Sequence, residues 1–222
     1  MTTRRQFVQT LGSAAALGAL YPMTGFAQTL EQVKIMYGFP PGSAGDSVAR
    51  RVAEKLGGTA FSKNPGFVEN KPGAGGRIAV DTLRTAPADG SVLTLAPVSA
   101  LAVYPHIYPK LTYKPEDVQP VSIGAIMHHG LAVGPAVPAE VKTLADFLKW
   151  AKANPDKAMY GTPGAGSMPH LLGALLGIRS GVELKQVPYR GTVPSITDLV
   201  GGQVASAVNP SGDYLQYMKA GR

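Results

Sequence analysis

The chain has 222 residues, 21 basic against 14 acidic side chains, a formal charge of +7 and no cysteine. Without cysteine there is no disulfide, no thiolate zinc site and no cysteine nucleophile. A 45% hydrophobic content at this length suffices for one or two α/β domains. The basic residues are scattered, without a dense run or aromatic interleaving, which argues against nucleic acid and leaves a weak preference for small anions.

Residues 1–27 read as an export signal. Thr3-Arg4-Arg5-Gln6-Phe7 precedes an apolar run over 11–20, and Gly25-Phe26-Ala27 puts small residues at positions −3 and −1 before Gln28. The paired arginines with Phe7 fit a twin-arginine signal; an ordinary secretory signal with two arginines is the alternative. The run is too short to span a bilayer. Cleavage after Ala27 removes Arg4 and Arg5, so 21 less two basic residues face 14 acidic ones, a charge of +5. A periplasmic destination follows.

From residue 33 the chain alternates. Residues 33–39 read as a strand and 40–45 as a turn. A helix over 46–56 has Val48, Val52 and Leu56 at helical spacing, Asp46 or Ser47 as cap and Gly57-Gly58 as stop. A strand at 67–70, a glycine turn at 71–76, a helix at 77–85 and a strand at 91–96 follow. This order argues for a parallel sheet with helices on both faces. Residues 104–120 are rich in Pro and Tyr and read as a connector. Strands are expected at 121–125 and 130–134, on either side of Met127-His128-His129. The two histidines would point to opposite sides of a strand, a poor metal pair. Thr143 caps a helix over 143–154 that Pro155 ends. A strand end at Met159-Tyr160, a glycine turn and a helix opened by Ser167 come next. The chain continues with a strand at 183–187, a helix at 193–200, a strand at 203–208 and a last helix at 213–220.

Three turns look alike: PGSAG at 41–45, PGAGG at 72–76 and PGAGS at 163–167. Each joins a strand to a helix. Glycine lets backbone N–H groups approach a ligand, and the first N–H groups of a helix lack internal partners and carry the positive end of its dipole. Such turns suit a carboxylate or a phosphate equally, and a plain strand-to-helix turn would look the same. The first three-stranded unit is thin beside the usual sheet. Together with the glycine stop near the chain end, it suggests that the C-terminal part of the first domain is missing.

Five stretches in order resemble a known family. They are Phe39-Pro40-Pro41-Gly42-Ser43-Ala44-Gly45-Asp46 with Ala49-Arg50; Val68-Glu69-Asn70-Lys71-Pro72-Gly73-Ala74-Gly75-Gly76; and Ala88-Asp89-Gly90. Then come Tyr160-Gly161 through Gly164-Ala165-Gly166-Ser167 to His170-Leu171, and Val187-Pro188-Tyr189-Arg190-Gly191 with Asp198-Leu199-Val200-Gly201-Gly202-Gln203. Together they cover nearly all of 28–222 and resemble the Bug family, the periplasmic receptors of tripartite tricarboxylate transporters.

The resemblance implies an α/β, two-domain periplasmic-binding-protein (Venus flytrap) fold that closes on a small carboxylate and delivers it to a membrane permease. Domain 1 is expected over 28–100 and domain 2 with the crossing segment over 101–222, in a monomer. Family receptors grip the ligand through two loops, here Gly42, Ser43, Ala44 and Gly45, and Gly164, Ala165, Gly166 and Ser167. Phe39, Ser99, His170 and Asn209 complete the expected site. Ser43 stands where the family usually has glycine, and Asn209 where it often has Asp; an amide can donate to an anion that a carboxylate would repel. Asp46 reads as a cap rather than a contact, and 71–76 as support for the first domain.

No metal, cofactor or catalytic residue is expected. G-x-S-x-G, both phosphate-loop patterns and H-E-x-x-H are absent. A receptor that presents its ligand to a signalling partner, and an exported hydrolase, are the alternative functions.

Overall fold

The computed structural model describes residues 29–222, so the export signal lies outside the described residues. Two sheets are formed. The first is three-stranded and parallel, in the order β2 (Phe67–Asn70), β1 (Lys34–Tyr37), β3 (Val92–Leu95). The second has the order β4 (His129–Val133), β7 (Ser206–Pro210), β5 (Met159–Thr162), β6 (Lys185–Pro188), with β4 antiparallel to β7 and the other pairs parallel.

Each strand leads into a helix through a turn whose residues set the geometry. After β1, Ser43 is extended and its hydroxyl accepts the Asp46 N–H, so α1 spans Ala44–Leu56. The cap is therefore Ser43, not Asp46 or Ser47. Asp46 sits at the third helical position and reaches back to the Gly42 N–H at 3.0 Å, a reciprocal cap. Ile35 and Tyr37 on β1 pack on Ala49 and Ala53 of α1 with Val33, forming one core cluster. The helix α2 (Arg77–Arg84) follows β2 and packs against β3 and β1.

The connector is more ordered than its composition suggests. Two short helices, α3 (Ser99–Ala102) and α4 (Tyr104–Ile107), place Tyr104 with Tyr113, Ala100 and Val80 in one buried cluster. The first packing unit thus runs past residue 100, to Val118. The strand expected at 121–125 does not form. Its alternation of Val121 and Ile123 with Ser122 and Gly124 suits a strand, but no described strand pairs with it, and Val121, Ile123 and Ile126 stand about four-fifths exposed.

The second sheet is covered on both faces. The helix α5 (Leu144–Ala153), capped by Thr143, buries Phe147 and Ala151 against Val137, Ala158, Val182 and Ala205. The helix α7 (Thr192–Val200) buries Ile196 and Leu199 against Val204, Ala207 and Tyr214. The helix α6 (Met168–Ser180) opens at Ser167 as expected. The strand expected at 203–208 lies at 206–210. The helix expected at 213–220 divides into a 3-10 turn, Ser211–Tyr214, and α8 (Leu215–Lys219). No helix among the described residues is long and apolar enough to cross a membrane.

Candidate functional site

The three glycine turns converge between the sheets. The Gly75 and Gly164 loops approach so closely that a Cβ on Gly164 would lie 3.2 Å from the Gly75 Cα. Tyr104 donates its hydroxyl to the Gly75 carbonyl at 2.9 Å, and Tyr108 donates to the Ala165 carbonyl at 2.8 Å. A Cβ on Gly191 would lie 2.5 Å from the Pro40 ring. The Ala44 N–H donates to Asp213 at 2.5 Å. The two halves are therefore in contact at several points around a cavity of about 550 Å³.

Strand ends and helix starts line this cavity. Among the expected residues Phe39, Ser43, Gly45, Ser99 and Ser167 line it. Gly42 and Ala44 lie behind it, against Gly212 and α8. Gly164, Ala165 and Gly166 meet Gly75, Ile107 and Tyr108 rather than the cavity. His170 is turned to its own loop: Nδ1 accepts the Gly166 N–H at 3.0 Å, and burial holds the imidazole below its ordinary value. Asn209 is fully buried, and its amide donates to Ser195 and to Tyr214. None of residues 71–76 lines the cavity.

The first loop is held by a charged network beneath the cavity. Asp46 accepts from Arg50 at 2.9 Å, from the Asn70 amide at 2.8 Å and from the Gly42 N–H. Burial pushes its carboxyl upward, but these bonds outweigh that and hold it below its ordinary value. With those partners satisfied, Asp46 anchors the first loop. Tyr37, whose hydroxyl accepts from Ser43 and is pushed up to about 12 by burial, closes the floor.

The polar atoms left over mark where a ligand can be received. Ser99 is 1% exposed and Thr192 is 5% exposed, both line the cavity, and neither hydroxyl finds a hydrogen-bond partner among the described residues. The Tyr104 hydroxyl approaches Ser99 but gives its proton to Gly75. A buried hydroxyl without a partner is costly, so both are suited to a bound polar group. Around them the lining is apolar, with Leu95, Val98, Ile123 and Met168.

Sequence reasoning missed Thr192, Asp213 and the 122–127 segment. Thr192 had a signal, since it is the first helical residue after a glycine at a strand end, as Ser43 and Ser167 follow their own. Asp213 had none, because its approach to Ala44 joins residues 169 positions apart.

The Ser167–His170 pair does not form a nucleophile and base. Ser167 donates its hydroxyl to the Gly164 carbonyl at 2.7 Å, and the histidine nitrogen that faces the loop is occupied by Gly166. No group of three potential metal ligands occurs among the described residues.

Residues 47–222 match the family described as "Tripartite tricarboxylate transporter family receptor". The Bordetella pertussis protein BugT is 32% identical over 218 residues, covering 97% of this chain and 64% of its own length. Among solved structures, R. palustris Rpa4515 with adipate superposes with a TM-score of 0.79 at 28% identity, over 86% of this chain and 62% of that one. MatC from Rhodopseudomonas palustris with bound malate superposes with a TM-score of 0.76 at 27% identity, over 86% and 64%. The chain thus spans somewhat less than two thirds of the length of these relatives. The neighbours are binding proteins rather than enzymes, and they carry the α/β periplasmic-binding-protein fold expected from the sequence.

Proposed function

This chain belongs to the tripartite tricarboxylate transporter receptor family, and we propose that it captures a small carboxylate in the cavity between its two sheets and hands it to a membrane permease outside the cytoplasm. The observation that carries this reading is the pairing of unpartnered, buried hydroxyls at Ser99 and Thr192 with the helix starts at Ser43 and Ser167, all lining one cavity. Backbone N–H groups at the Ser167 helix start complement a carboxylate without a cationic side chain. The adipate- and malate-bound relatives support the ligand class.

Binding is reversible and involves no covalent step. A ligand that touches both halves favours the arrangement in which they meet, and its differential affinity for that arrangement drives closure. The contacts Gly75–Gly164, Pro40–Gly191 and Ala44–Asp213 belong to the closed form. We place the crossing between the two units in the segment before β4 rather than at residue 100, because Tyr104 and Tyr113 pack with Val80 of the first unit. Export through the signal at 1–27, with cleavage after Ala27, delivers the receptor to the periplasm where its relatives work.

The test is thermal unfolding of the chain with mono-, di- and tricarboxylates, amino acids and aromatic acids. A ligand that binds only the native state raises the melting temperature by mass action. A rise with one carboxylate class supports the reading; a cooperative melt that no carboxylate moves overturns it.

A further inference from the structure

Among the described residues, the one charged side chain that lines the cavity is an acid. Among its described lining residues there is no lysine or arginine, and burial, with His128 nearby, keeps the His129 imidazole below its ordinary value and hence neutral at pH 7. Asp213 sits in the turn Ser211–Tyr214, directly after β7. Its Oδ1 accepts the Ala44 N–H from the first turn of α1. Its Oδ2 is buried and has no hydrogen-bond partner among the described residues. Burial pushes the Asp213 carboxyl above its ordinary value, against the Ala44 N–H and the Thr192 hydroxyl, which lies beside it outside hydrogen-bond geometry and favours the charged form.

Two consequences follow from this placement. The internal carboxylate already occupies the corner that the α1 N-terminus offers an anion, so a second ligand carboxylate directed there would meet a like charge at close range. The free oxygen also needs a donor. An ammonium supplies both a charge-assisted hydrogen bond and the missing positive charge, and its remaining protons reach the Thr192 oxygen. The Ser99 hydroxyl and the Ser167 helix start stay available for the ligand's own carboxylate.

The geometry points to Asp213 as a selectivity residue that turns away a second carboxylate and receives an ammonium, which makes the preferred ligand a small amino acid with a single carboxylate. This rests on the receptor reading above and narrows it.

Isothermal titration of the full chain at pH 7 separates the two. The probes are 2-aminobutanoate, 4-aminobutanoate and 6-aminohexanoate against succinate and adipate. The wild type is expected to bind at least one amino acid tenfold or more tighter than either dicarboxylate. D213N is expected to lose that preference by tenfold or more, while the dicarboxylates bind as well or better. D213S, with less bulk, repeats the test should D213N not melt cooperatively, and the wild-type ratio decides on its own account. A wild type that binds a dicarboxylate tighter than every amino acid, or a ratio unmoved in the variant, overturns the role of Asp213 and leaves the receptor reading standing. Absence of binding to all five probes overturns the role of Asp213 as well as the carboxylate reading on which it rests.

Discussion

Gly164→Ala isolates closure from folding. The new methyl would lie 3.2 Å from the Gly75 Cα and 3.5 Å from its nitrogen, and both contacts are with backbone of the other half. The first is tighter than most real methyl contacts, so the neighbour must give by a few tenths of an ångström, and backbone cannot swing aside as a side-chain end can; the second is an ordinary contact. Overpacking of this kind costs about 1–3 kcal/mol. Because the clash exists only where the halves meet, the cost falls on the closed form, and at about 1.4 kcal/mol per tenfold it weakens binding roughly five- to hundredfold. Gly75→Ala is the contrast. That residue has a φ of +65°, and its methyl would lie 2.7 Å from the Tyr104 hydroxyl, within its own half. It is strained whether or not ligand is bound. The assay is isothermal titration of both variants with the best carboxylate, alongside their unliganded melting temperatures. The expected result is a weakened Gly164→Ala with an unchanged unliganded melt, and a Gly75→Ala that melts lower. Unaltered affinity in Gly164→Ala, or a melt lowered as much as in Gly75→Ala, would show that the Gly75–Gly164 approach does not control closure.

Asp46→Ala removes the anchor of the first loop. It leaves Ser43 as cap, because that bond uses the backbone N–H of residue 46, but removes the carboxylate that accepts from the Asn70 amide, the Gly42 N–H and Arg50, a cost of about 1–3 kcal/mol. At the upper end, a loss of about 3 kcal/mol lowers the melting temperature by about 6–12 °C at this size, readable by circular dichroism. Because the folded value of Asp46 lies below the ordinary 3.8, its stabilisation is complete above that value and is lost as pH falls through the folded one. The wild type should lose stability on that acid limb, and the variant should show a shallower slope. His170 has a depressed value, so the stability it adds is present above the ordinary 6.5 and is lost as pH falls through the folded value, when Nδ1 no longer accepts from Gly166. His170→Gln should flatten the acid dependence of binding, measured by titration from pH 7.5 to 5. Ser99→Ala removes an unpartnered buried hydroxyl, so the unliganded melt should hold or rise while affinity falls roughly five- to tenfold.

Much of this was legible in the sequence because the signals were local. Strands at 34–37, 67–70 and 92–95 and the helices after them follow from apolar spacing and glycine turns. The caps at Thr143 and Ser167 follow from hydroxyls placed just before periodic runs. Ser43 was readable by the same rule, yet Asp46 drew the assignment because an acid in the first turn resembles a cap; here it closes a reciprocal pair with Ser43 and Gly42. The strand expected at 121–125 failed because alternation specifies a surface, whereas a strand also needs a neighbour to complete its ladder. The turns at 42–45 and 164–167 were found by pattern, but which of their residues face the cavity depends on packing, against Gly212 and Asp213 for the first and against Gly75 and Tyr108 for the second. Thr192 follows Gly191 at a helix start and was readable by the same rule, whereas Asp213 belongs to the cavity only through tertiary contact, so no spacing rule reaches it.

Carboxylate capture between the two sheets is tested most directly by a crystal structure of the chain grown with the carboxylate that raises its melting temperature most. That carboxylate should lie between the two sheets, with an oxygen accepting from Ser99 Oγ and from backbone N–H groups at the Ser167 helix start, and with Gly75 and Gly164 in contact. A ligand seated on another surface, or one that fills this cavity without touching Ser99 or that helix start, would exclude capture at this site.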